Sequence, residues 1–138
     1  MINLLRQLGL ISRLSLNEAN TKFKEIGLNS NQFQYLMRIC EQPGLFLDEL
    51  ANEMKVDRTT NFRAVNNLIK RGYVEKRSDS SNRKVRRLFP TDLGIKVYPE
   101  LHECESNIAE RAMSDLSDGE RLVLQELLVK ITNKIELK

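Results

Sequence analysis

The sequence has no tryptophan, one histidine, two cysteines and three prolines, and no run of more than three consecutive hydrophobic residues. Each shortage removes a class of protein. A membrane-spanning helix needs about 20 apolar residues in a row, so no span is expected. Cys40 and Cys104 are too few for a disulfide framework. The segment Met1–Leu14 lacks a basic lead-in and a cleavage pattern, so it does not read as a secretory signal. The cytoplasm is the simplest compartment to expect. His102 stands among Glu100, Glu103, Cys104 and Glu105. Neighbouring helix residues do not converge on one ion, and zinc takes three or four ligands. Neither a metal site nor a cofactor is expected. Catalysis has no foothold: there is no nucleophile–histidine pair with a third orienting residue, no phosphate-cradling loop and no Gly-rich dinucleotide turn. The chain does not read as an enzyme.

What is present suits a small globular protein. The 138 residues are 41% hydrophobic and 30% charged, with a mean hydropathy of -0.43. That is one compact domain, or a domain with helical arms, and it is too apolar for intrinsic disorder. The net charge of +3 conceals a sharp asymmetry. Residues 55–87 carry 11 Lys and Arg against 3 Asp and Glu, whereas the remainder carries 11 against 16. A basic focus on an acidic protein points to a polyanionic partner; the plainer alternative is a solvated charged face.

Apolar spacing predicts a first helix over about 3–26, with Gly27 as its C-terminal stop. Asn29 then offers an N-cap with Gln32 as capping-box partner, opening a helix to about Glu41 that Pro43-Gly44 stops. A short helix over 47–54, a turn at Lys55-Val56, and a helix over 58–71 capped by Asp57 read as helix-turn-helix. Residues 73–77 and 85–89 read as a β-hairpin with a basic tip, closed by Pro90. Thr91 caps a long helix over about 92–113, with a break expected near Pro99. Ser117 and Glu120 form a capping box for a last helix over about 118–136. The fold class is mainly α with a small β-hairpin wing.

Basic charge, helix-turn-helix and hairpin fall in the same short segment. On the 58–71 helix, Phe62, Val65 and Ile69 share one face at about 100° per residue, with Leu68 beside it; Thr60, Arg63 and Asn67 lie opposite, flanked by Thr59, Asn66 and Lys70. Such a helix can pack on its domain and extend polar side chains to base edges. Arg can bridge guanine, Asn can bridge adenine, and a Thr methyl can meet that of thymine. The candidate DNA-binding residues are Arg58, Thr59, Thr60, Arg63 and Asn67 on the helix, with Arg77, Arg83, Lys84 and Arg86 on the hairpin. Arg58 could instead contact phosphate or brace the fold.

The run from Leu50 to Thr60, followed by Leu68 to Arg77, resembles the MarR family of winged helix-turn-helix transcriptional regulators. So do the wing residues Asp79-Ser80-Ser81-Asn82-Arg83-Lys84, the segment Pro90-Thr91-Asp92-Leu93-Gly94, and Leu116-Ser117-Asp118-Gly119-Glu120-Arg121. The resemblance covers about residues 28–135. Four positions depart from its pattern: Phe46 replaces a capping Thr or Ser, Lys55 a turn Gly, Asn82 the second wing Asp, and Pro90 a Leu. Losing that wing Asp removes a carboxylate that could brace Arg83.

The resemblance implies a winged lobe over 29–90 and a helical dimerisation region over 1–28 and 91–138. The last helix supports this independently, because Leu122, Val123, Leu124, Leu127, Leu128 and Ile131 cover more than one face. Ile2, Leu4, Leu5 and Leu8 stand ready beside them. The expectation is a homodimeric repressor of a pseudo-palindromic double-stranded DNA operator, with no membrane partner. The resemblance further implies release by a small aromatic or phenolic effector, for which Phe23, Phe33, Tyr35, Met37 and Arg38 are candidate crevice residues, although core packing is the plainer role for any one of them. Two alternatives remain open from the residues: a winged-helix protein–protein adaptor with a basic face, and a thiol-based redox sensor. Cys40, on the apolar face of its helix, reads more simply as an inert buried thiol.

Overall fold

The computed structural model describes residues 3–135. Six helices and three short strands follow in the order α1 (Leu4–Lys22), α2 (Gln32–Glu41), β1 (Leu45–Phe46), α3 (Leu47–Met54), α4 (Arg58–Lys70), β2 (Val74–Ser78), β3 (Arg86–Pro90), α5 (Asp92–Ala112) and α6 (Asp118–Lys134). The expected residues Ile2 and Glu136 lie outside the described residues. None of these helices is long and apolar enough to cross a membrane.

Side-chain caps start most helices. Asn3, Asp57, Thr91 and Ser117 each accept a backbone N–H from the first turn that follows, satisfying a donor with no partner inside the helix. The start of α2 departs from expectation. Asn29 is not its N-cap; Asn31 is, in a left-handed conformation at φ 65° and with no side-chain cap. Asn20 of α1 supplies the bonds instead. Its Oδ1 accepts from the Asn31 backbone N–H at 2.9 Å, and its amide donates to Asn31 Oδ1 at 3.0 Å. Asn tolerates this backbone region better than most residues, so a tertiary pair displaces the local capping box.

The first helix is also shorter than its apolar spacing predicts. It ends at Lys22, and Phe23 turns into the core, fully buried. Gly27 lies beyond that end at φ +74°, where a Cβ would collide with the Arg71 guanidinium. The Leu28 N–H donates to the Phe23 carbonyl at 3.0 Å and the Gly27 N–H to the Lys24 carbonyl at 3.1 Å, so Gly27 is the left-handed stop that the sequence predicts, placed after one further turn of chain.

The sheet has three antiparallel strands in the order β1-β3-β2. Two-residue β1 pairs only with Arg87 and Leu88 and is too short to leave a sequence signal. Pro90 does not close the hairpin: it lies within β3 opposite Val74. Because β1 does not extend that far, one side of β3 is open there, where a missing N–H costs no ladder bond. Pro99 likewise does not break α5, which is continuous from Asp92 to Ala112. Ile95 and Pro99 are exposed, so the proline forfeits one bond to a carbonyl on a solvated stretch.

One core joins α2, α3, α4, the sheet and the inner faces of α1 and α5. Phe23, Leu28, Leu36, Ile39, Leu50, Val65, Leu68, Leu88 and Leu101 are fully buried in it. Helix α6 takes no comparable part, since none of its residues is buried.

Candidate nucleic-acid interface

The helix-turn-helix is held by short-range chemistry. Phe46 has no oxygen with which to cap α3, and the expected loss is half repaired: Glu49 Oε1 accepts the Phe46 backbone N–H at 2.8 Å. Lys55 takes the left-handed turn conformation, φ 56°, that a glycine would adopt without strain. Asp57 accepts the Thr60 N–H at 2.7 Å and the Thr60 hydroxyl at 3.0 Å. These bonds hold the Asp57 carboxyl below its ordinary pKa. The amide of Asn61, almost completely buried, donates to the Leu47 carbonyl at 2.9 Å. That bond ties the second turn of α4 to the start of α3.

The buried stripe of α4 is Asn61, Ala64, Val65 and Leu68, not the Phe62–Val65–Ile69 face that hydrophobicity favours. Phe62 is 49% exposed and Ile69 half-buried. A rotation of that size turns Thr59, Arg63, Asn66 and Lys70 directly outward, and all four are exposed. Thr60 and Asn67 fall on one flank, with Asn67 half-buried. The structure therefore brings Thr59 and Arg63 together with Asn66 and Lys70, while the Thr60 hydroxyl already donates to Asp57. Arg58 lies 3.5 Å from Asp48, with both side chains well exposed, so this ion pair contributes little stability.

The hairpin sorts its basic residues. In the β2–β3 register Arg77 stands directly opposite Arg87, an unfavourable like-charge pair unless both charges are neutralised. Arg77 pairs with Glu75, and its guanidinium stacks 4.2 Å from the Phe89 ring centre. Arg87 Nε donates to Asp79 at 2.6 Å, its Nη1 donates to the Gly44 carbonyl at 2.8 Å, and its guanidinium lies 4.1 Å from the Phe46 ring centre. Cation–π stacking of this kind adds to the ion pairs. Arg86 donates to the Ser78 hydroxyl. Arg83 and Lys84 are exposed and make no side-chain hydrogen bond or ion pair with the described residues.

The sequence reading missed Arg87, and the structure shows why it matters. Asp79 binds Arg87 and also accepts from the Ser81 backbone N–H and hydroxyl. The Ser81 hydroxyl and Arg87 together hold the Asp79 carboxyl down at about 2. Asn82 has a turn role of its own, its Oδ1 accepting from the Lys84 N–H at 3.1 Å. The wing root is thus locked through Arg87 to β1 and to Gly44 just before it, and its tip leaves Arg83 and Lys84 free to meet an anion. The detectable signal was strand periodicity: Arg87 alternates with buried Leu88 and so faces away from the core.

The profile of the MarR family matches residues 28–85, which takes in α2, the helix-turn-helix, β2 and the wing turn up to the start of β3. A Bacillus subtilis relative, the uncharacterized HTH-type transcriptional regulator YybA, is 38% identical over 136 residues, covering 99% of this chain and 91% of its own. The chain belongs to the MarR family. Members of this family are transcriptional regulators. Among solved structures, a MarR protein from Peptoclostridium difficile superposes with a TM-score of 0.91 at 39% identity, covering 96% of this chain and 86% of that one. A MarR-family regulator from Listeria monocytogenes, solved with a 26mer DNA, reaches a TM-score of 0.94 at 36% identity, covering 98% and 90%. The mainly α, winged helix-turn-helix expectation therefore holds over nearly the full length of this MarR-family chain.

The thiols have no activating environment. Cys40 is half-buried, and burial with the nearby Glu41 charge pushes its pKa up to about 11. Cys104 is buried, and burial raises it too. A reactive cysteine needs the opposite, a stabilised thiolate. His102 is exposed and packs its ring 5.8 Å from that of Tyr98.

Proposed function

We propose that this MarR-family regulator acts as a homodimeric repressor that binds pseudo-palindromic duplex DNA in a sequence-specific manner. The observation that carries the reading is the outward side of α4. Thr59, Arg63, Asn66 and Lys70 project from it without packing duties, in a segment of net charge +8. In this arrangement α4 enters the major groove and Arg63 reads a base edge, while Thr59, Arg58 and Lys70 take base or backbone positions. Arg83 and Lys84 at the wing tip reach the neighbouring minor groove, where negative potential is strong. Arg77 and Arg86 sit at the root of the wing, engaged with Glu75 and Ser78, and serve its shape first. Thr60 donates to the Asp57 cap, and Asn67 lies at the margin. The adaptor alternative leaves the polar outward side of α4 without a role, and the raised thiol pKa values oppose redox sensing.

The dimer reading rests on α1 and α6. Leu5, Leu14, Leu122, Val123, Leu127 and Val129 are exposed there. A 17-residue helix with no buried residue is marginal by itself in water, and a second copy supplies the missing partner. The two-fold axis then spaces the two α4 helices about 10 bp apart, or a multiple of it, along the duplex.

An effector has a place to bind. A cavity of about 570 Å³ opens between α1, α2, α5 and α6, bounded by Leu8, Ile11, Leu16, Phe33, Ile108 and Leu124 among others. Of the five crevice residues expected, only Phe33 lines it; Phe23, Tyr35 and Met37 are buried in the core. Among the described residues, Glu105 is the charged residue of its lining, and no Lys, Arg or His contributes. That lining suits a neutral or cationic aromatic compound better than a phenolic acid. Bound there, it shifts the operator equilibrium only by its differential affinity for the free and DNA-bound forms.

Selection of duplexes from a random pool tests the central claim. A shared inverted repeat is expected, and Arg63→Ala should bind it about 10- to 100-fold more weakly per half-site. Recovery of random sequences would refute specific readout.

A further inference from the structure

Phe62 is the largest apolar side chain on α4, and it is not in the core. Half of it is exposed. Its ring centre lies 5.0 Å from the Lys76 ammonium on β2, and with Leu47, Asp48, Arg58, Thr59 and Asn61 it borders a shallow cleft. Single exposed apolar residues are common and need no explanation. This one is different in its setting, because it occupies the first half of α4, between Arg58 and Arg63, inside the most basic stretch of the chain. The N-terminal turns of a helix docked in the major groove are the ones that meet base edges. A phenyl ring there forms no hydrogen bond to a base, and thymine is the base that displays a methyl group in that groove. The stacked Lys76 ammonium holds the ring and carries a positive charge to the adjoining backbone phosphates.

We propose that Phe62 is a specificity-determining residue that selects a thymine in each half-site by packing on its 5-methyl group. The inference rests on the duplex-binding reading above and adds a thymine contact distinct from any that the Thr59 methyl makes. Its chemistry is one apolar contact on the flank of α4 facing the wing, next to the hydrogen-bonding contact of Arg63.

The test removes the methyl group and nothing else. Each thymine of the duplex selected by the wild-type protein is replaced in turn by deoxyuridine, and affinities are compared by fluorescence anisotropy. One symmetry-related position should weaken wild-type binding about fourfold per half-site, the worth of one buried methyl group. Phe62→Ala should bind more weakly overall and be indifferent to that replacement. Phe62→Leu, which keeps an apolar tip, should retain part of the sensitivity. Because the ring is outside the core, both variants should fold, which circular dichroism checks. A wild-type protein that prefers one duplex yet is indifferent to deoxyuridine at every position would overturn the role of Phe62 and leave duplex recognition standing. Undiminished sensitivity in Phe62→Ala would overturn it equally. A wild-type protein with no preference among duplexes would overturn recognition itself, and this inference with it.

Discussion

Truncating Leu122 to alanine should split the dimer without unfolding the lobe. Leu122 is 69% exposed on α6, and leucine and alanine have similar helix propensities, so an isolated protomer should scarcely register the change. In a dimer the same side chain is covered. Fully burying a leucine stabilises by about 1.5–3 kcal/mol, so the exposed two-thirds offers about 1–2 kcal/mol. A two-fold axis uses each residue twice, which makes about 2–4 kcal/mol per dimer. At about 1.4 kcal/mol per tenfold, Leu122→Ala should raise the dimer dissociation constant roughly 30- to 1,000-fold. Leu5→Ala on α1, from a residue 75% exposed, should do about the same. Sedimentation equilibrium over nanomolar to micromolar concentrations reads both directly. A wild-type protein that stays at 16.0 kDa throughout, or a Leu122→Ala protein that associates as tightly as wild type, would refute the assignment of α6 to a subunit interface.

Three further outcomes follow from the wing and from the seat of α5. Arg83→Ala should weaken duplex binding across many sequences and reduce the slope of log affinity against log salt by about 0.9 for each phosphate that the wing tip no longer neutralises; an unchanged slope would mean that the wing tip does not touch DNA. Asp79 has a folded pKa of about 2, below its unfolded value of about 3.9. Its contribution to stability is therefore fully present above about pH 4 and lost as pH falls from there towards 2. Urea midpoints should show Asp79→Asn less stable than wild type at pH 7, with the gap narrowing below pH 4. Gly94→Ala would drive a Cβ into the Tyr73 carbonyl oxygen. Overpacking of this kind costs about 1–3 kcal/mol, which outweighs the gain of up to about 1 kcal/mol in helix propensity, so its urea midpoint at fixed protein concentration should fall.

Local signals placed the elements, and tertiary contacts decided the details that the sequence did not disclose. Asp57, Thr91 and Ser117 were readable as caps because each bond runs to a residue three positions on. Asn31 was not, because its partner Asn20 is eleven residues away. The face of α4 was misjudged for a related reason. A hydrophobicity pattern prefers Phe62 to Asn61 in a core, yet Asn61 is buried because its amide meets the Leu47 carbonyl, a bond that exists only once α3 and α4 are docked. The charge asymmetry located the basic segment, but it could not separate Arg83 and Lys84, which are free, from Arg77 and Arg87, which stack on Phe89 and Phe46. That division depends on strand register. Phe23, Tyr35 and Met37 take the core role that was their plainer reading, and only Phe33 also lines the cavity; an apolar side chain on a helix face fits a core and a cavity wall equally well.

The C-terminal end of α4 is where the winged lobe meets the helices that flank it. The Tyr73 hydroxyl donates to the Ile26 carbonyl at 2.6 Å, and the Arg71 guanidinium fills the space beside Gly27. Both bind the end of α4 to the connection between α1 and α2. From the other side, the Thr91 hydroxyl donates to the Gly72 carbonyl at 2.5 Å, the Thr91 N–H donates to the Tyr73 carbonyl at 3.0 Å, and Gly94 lies against that same oxygen. Arg71, Gly72 and Tyr73 thus receive contacts from α1, through its outgoing connection, and from the first turn of α5. These contacts are short, directional and packed without slack, so α4 has little freedom to rotate independently of the segments on either side. A change in how α1 and α5 sit must therefore reach α4 as a displacement of the whole lobe rather than as a local adjustment. On the dimer reading, the spacing of two α4 helices is then set by the α1, α5 and α6 contacts between copies. The cavity bordered by Leu8, Phe33 and Ile108 lies among those same helices, so on the proposed reading a ligand bound there would act on that spacing without touching the groove-facing side chains.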